Sequence, residues 1–173
     1  FLSLRKFLFK ARVSYKMSTS PYASMDNDEL MTRLRRNFSK LEDIAVLILS
    51  EIANDESANL TIKFIAAAGK DKLSTNKFNT QPTQNIILLI KFLKKDIERY
   101  NQLAQTRDLD AISSLVRDML TETTDIKKNL PINIDTLDFS MFTNYISKLD
   151  QESLDSIWKL VNNILSIVTY YKI

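Results

Sequence analysis

A single glycine, Gly69, among 173 residues is the feature that most constrains this chain. Sheets are strung together by tight turns, and those turns draw on glycine or Asn-Gly for positive φ. Helices joined by polar connections need neither. Pro21, Pro82 and Pro131 are the only prolines, and each falls at an expected loop or helix start. The fold expected is therefore all-α. With 45% apolar and 26% charged residues the chain has the means to bury a core. A single compact bundle of about six helices over residues 26–173 is expected, preceded by an arm and linker at 1–25.

The arm is distinct in charge. Residues 1–25 hold Arg5, Lys6, Lys10, Arg12 and Lys16 and no acid, so the other 19 basic residues face 21 acids and the domain itself carries −2. Phe1, Leu2, Leu4, Phe7, Leu8 and Phe9 are interspersed with those bases, the pattern of an amphipathic presequence or a membrane-surface helix. A mitochondrial location follows if residues 1–25 are a native presequence, and contact with a membrane surface would run through residues 1–16. The chain starts at Phe1, which leaves Met17 as an alternative initiator. A cytoplasmic location is otherwise expected.

Periodicity supplies the helices. Asp26 with Glu29 reads as a capping box, and Met31, Leu34, Phe38, Leu41, Ala45, Ile48 and Ile52 continue as one stripe at spacings of three and four. A second helix is expected over Leu60–Ala68, capped by Gly69. Lys70–Gln81 then reads as the longest loop and a candidate gate. A third helix is expected from Pro82 to about Leu103, and a fourth from Asp108 through Ile112, Leu115 and Met119. A fifth carries Phe139, Phe142, Tyr145 and Ile146, and a sixth runs from an Asp150 cap to Tyr171.

The absence of Cys and His removes zinc sites, thiolate nucleophiles and Ser-His-Asp chemistry. The Gly69-Lys70 pair lacks both the upstream glycine and the following hydroxyl of a phosphate loop, with Asp71 in the hydroxyl position. The acidic pairs Glu42/Asp43, Asp108/Asp110 and Asp135/Asp138 read as helix starts or solvated faces. No catalytic residue, metal or cofactor is expected, and the chain is expected not to be an enzyme.

The leading expectation is a macromolecule-binding bundle, an adaptor, assembly subunit or inhibitor, that receives a protein partner in a helical groove or on an apolar surface. Trp158, Tyr170 and Tyr171 are its candidate docking residues. The alternative is a nucleic-acid-associated domain. It would use Arg33, Arg35, Arg36 and Lys40 on the first helix and Lys91, Lys94 and Lys95 on the third, provided the two faces adjoin.

Overall fold

The computed structural model describes residues 20–110, 113 and 140–173, and six α-helices and one 3₁₀ turn are bounded among these described residues. We number them α1 (Asn27–Asn54), α2 (Leu60–Thr75), α3 (Thr83–Lys94), α4 (Ile97–Thr106), α5 (Ser140–Ser147) and α6 (Gln151–Tyr170), with the 3₁₀ turn at Phe78–Thr80. No strand occurs among the described residues. The all-α bundle expected from the sequence is what the chain forms.

Side-chain caps set the helix starts. Asp26 accepts the Glu29 N–H at 2.9 Å and opens α1. Asn59 accepts the Ile62 N–H at 2.9 Å and opens α2. Asp150 accepts both the N–H and the hydroxyl of Ser153, at 2.8 and 2.9 Å, and opens α6. Each satisfies donors that a helix start would otherwise leave unpaired.

The core lies between α1 and α6. Leu30 and Leu34 of α1 and Ile167 and Val168 of α6 are fully buried, joined by Ile86 and Ile90 of α3 and by Ala104 and Tyr100 of α4. The two long helices run antiparallel. Their ends are stapled where Asn27 donates to the Lys172 carbonyl at 2.6 Å and accepts the Lys172 N–H at 2.9 Å.

Two boundaries differ from the periodic reading. First, α2 continues through Gly69 to Thr75, so the expected Gly69 cap and the Lys70–Gln81 loop are both corrected. Gly69 has no positive φ and lies under Leu49 of α1, and packing along α1 carries the helix past its weakest residue. Second, the helix expected from Pro82 to Leu103 is two helices. The break falls at Lys95 and Asp96, with Asp96 at φ −142° and ψ 40°. Neither Gly nor Pro marks it, and Leu93, Ile97 and Tyr100 keep helical spacing across it. Further along, α4 ends on Arg107 in the left-handed region at φ 54°, where the guanidinium reaches Asp155 at 2.5 Å. The arm at residues 1–16 lies outside the described residues. So does most of the expected fourth helix, although Leu109, Asp110 and Ser113 are helical.

The segment expected to gate a groove is strapped to α1. Arg35 donates to the carbonyls of Phe78, Asn79 and Gln81 at 3.3, 3.1 and 2.9 Å, and to the Thr83 hydroxyl at 3.1 Å. Glu42, two turns on, accepts the Phe78 N–H with both oxygens at 2.8 and 3.1 Å. Between them Phe38 stacks on Phe78, with ring centroids 4.2 Å apart.

Arg35→Ala is expected to cost about 1–3 kcal/mol in urea unfolding, because it strands several carbonyls at once. Arg33→Ala and Arg36→Ala, at exposed neighbours, should stay within ~0.5 kcal/mol of the parent chain. Gly69→Ala should stabilise by roughly 0.5–1 kcal/mol through helix propensity, since the new Cβ would meet Leu49 at an ordinary 3.4 Å.

Candidate functional site

Three surfaces compete for function, and the basic one divides on inspection. Arg35 faces inward to the strap, while Arg33, Arg36 and Lys40 are exposed. Arg35, Arg36 and Lys40 line one open depression with Ser39 and Asn79, and Arg33 and Arg36 line a second. Acids share both: Asp43 is in the first, and Asp28 and Glu29 are in the second. Lys91 on α3 and Lys95 just past its end are exposed, and Lys95 lies 5.8 Å from the centroid of the Phe92 ring. Lys94 is half-buried and donates to the Thr169 carbonyl at 3.1 Å. Neither depression takes in a lysine of α3. The described residues therefore do not join the two basic clusters into one cavity.

The candidate docking aromatics also separate. Trp158 is 4% exposed and Tyr171 8%, both within the core cluster, whereas Tyr170 is 37% exposed. Rings so buried stabilise the bundle and present no free surface. Other side chains are out in solvent. Leu60 and Phe64, one turn apart on α2, are 85% and 63% exposed. Among the described residues α2 packs chiefly on α1, and Leu60 and Phe64 lie out in solvent.

The third feature is a partly open cavity of about 240 Å³ bounded by four helices. Phe38 and Leu41 come from α1, Leu89 and Leu93 from α3, Tyr100, Leu103 and Ala104 from α4, and Val161, Ile164 and Leu165 from α6. In the sequence these residues read only as core. The break at Lys95–Asp96 separates the two helices that supply Leu89 and Leu93 on one side and Tyr100, Leu103 and Ala104 on the other.

Perturbed ionisable groups lie at structural ties. Hydrogen bonds from Ser57, reinforced by one from the Tyr145 hydroxyl, hold the Asp55 carboxyl at about 2. The same contact raises Tyr145, and Lys148 lies over its ring at 5.4 Å. Burial raises Glu42, with the Phe78 N–H opposing it. Asp150 is lowered by its Ser153 cap, and Asp155 by Arg107. Among the described residues no group of His, Cys, Asp and Glu could hold a metal ion. Among the same residues no helix is long and apolar enough to cross a membrane. Comparison of the chain with protein-family models, with curated proteins and with solved structures finds no match.

These shifts fix the sign of the acid response. Asp55, held below its unfolded value of about 3.9, stabilises the fold above that pH, and its contribution fades as pH falls from about 4 to 2. Glu42, raised, acts oppositely and favours the fold as it becomes protonated. In urea titrations at successive pH values, Asp55→Asn should flatten the acid loss of stability. Glu42→Gln, which lacks the offsetting gain, should steepen it.

Proposed function

We propose that this chain is a non-enzymatic binding module whose partner is another protein, engaged through the Leu60 and Phe64 face of α2. The observation that carries this reading is the pair Leu60 and Phe64, both more than half exposed on one helical face. Side chains at a spacing of four lie side by side on a helix, and such pairs serve as anchors when one helix docks against another surface. Isolated exposed apolar residues need no explanation. Here, however, two large ones are paired on a helix whose other side is already packed. Leu47 of α1, 65% exposed, adds a further apolar side chain on the helix that carries α2. An adaptor, assembly subunit or inhibitor would each use such a face, and the reading assigns the chain no reaction.

Nucleic-acid association through Arg33, Arg36 and Lys40 is the competing reading, and one experiment separates the two. The tagged chain is recovered from its native source with and without nuclease, alongside Leu60→Glu/Phe64→Glu and Arg33→Glu/Arg36→Glu/Lys40→Glu variants, each checked for helicity by circular dichroism. The expected result is a stoichiometric protein that survives nuclease, is retained by the charge-reversed variant and is lost by the α2 variant. Loss on nuclease treatment and on charge reversal, with retention by the α2 variant, would transfer the function to α1.

A further inference from the structure

Protein interiors hold few voids larger than a water molecule, and the cavity between α1, α3, α4 and α6 is well above that size at about 240 Å³. An apolar cavity of ~150 Å³ already takes up benzene. Seven of the ten lining residues are Leu, Ile or Val, and the Tyr100 hydroxyl is the one polar side-chain group among them. Water has little to bind there, since a buried water needs roughly two to four polar partners.

The cavity is also held open. Phe38, one of its walls, is stacked on Phe78, whose backbone is fixed on one side by Arg35 and on the other by Glu42. Turning the Phe38 ring into the cavity to fill it would break that stack. Leu41, Leu89, Leu103 and Val161 remain only partly buried at the cavity, which is thus partly open to solvent.

We propose that this cavity binds the aliphatic tail of a small amphiphile, with its polar head left in solvent. The branched aliphatic wall fits a flexible chain, the absence of a buried charge leaves no place for a head group inside, and the preformed shape keeps the ordering cost low. The site shares no residue with the α2 face, so it stands or falls independently of protein docking.

The test is calorimetric titration of the full chain with straight-chain 1-alkanols of increasing length, each below its solubility limit. Affinity is expected to rise roughly fourfold per added methylene and to level off once the cavity is filled. Ala104→Leu and Val161→Phe fill the cavity from within and from its edge, and should each weaken binding by at least about tenfold while circular dichroism shows the fold retained. If either variant fails to fold, the levelling-off in the parent chain decides. Alkyl carboxylates of matching length should reach the same plateau, as a head in solvent requires, and their exclusion would overturn the head-out placement. Absence of alkanol binding, or affinity that climbs without a plateau and is the same in both variants, would overturn the site.

Discussion

The strap between α1 and the Phe78–Thr80 turn is the contact on which the rest of the bundle rests. One guanidinium bonds to three carbonyls and a hydroxyl, and one carboxylate closes the same segment from the other side. Arg35 and Glu42 are seven residues apart, so both project from the same face of α1, with Phe38 between them. The arrangement turns a polar connection into a fixed corner. That corner sets where α3 begins, hence how α3 meets α6, and hence the shape of the space that α4 leaves open. Charge-assisted hydrogen bonds suit this role because they are directional and stronger than neutral ones.

Much of the fold is legible in the sequence, and the reasons are local. Asp26, Asn59 and Asp150 act within three residues of themselves, so a cap can be recognised without knowing what it packs against. The Asp26 and Asp150 caps are legible in this way, and the α1 and α6 stripes follow from spacing. What escaped the reading is non-local. Gly69 looks like a helix end because glycine commonly ends helices, but Leu49 and the rest of α1 hold the segment helical beyond it. The break at Lys95–Asp96 escapes because every apolar residue around it keeps its spacing. The count of six agrees with expectation for a mixed reason: one expected helix is split, and another lies mostly outside the described residues.

Surface chemistry was harder to read than architecture. Arg35 and Arg36 are adjacent and chemically identical and both border the depression shared with Asp43, yet Arg35 clamps the Phe78 and Gln81 carbonyls while Arg36 is exposed. Nothing in the sequence separates them, because the carbonyls that capture Arg35 lie more than forty residues away. The same holds for Trp158 and Tyr171, whose aromaticity suits docking and core packing equally until burial decides. The cavity is the extreme case. It is made of residues that each read correctly as apolar and helical, and it needs four helices to bring them together.

The staple between Asn27 and Lys172 closes a path of 145 residues with two hydrogen bonds. The first turn of the longest helix and the last turn of α6 therefore meet at one pole, and fraying at either end loosens the other. In topological terms the bundle is nearly a ring, cut between those two residues. The turn at Asp55–Asn59 lies outside the strap but holds its own tie, where the Tyr145 hydroxyl donates to Asp55 and Asn59 caps α2. At the opposite end of α1 that turn therefore anchors α5 and α2 together, so the long helix is held at both of its ends.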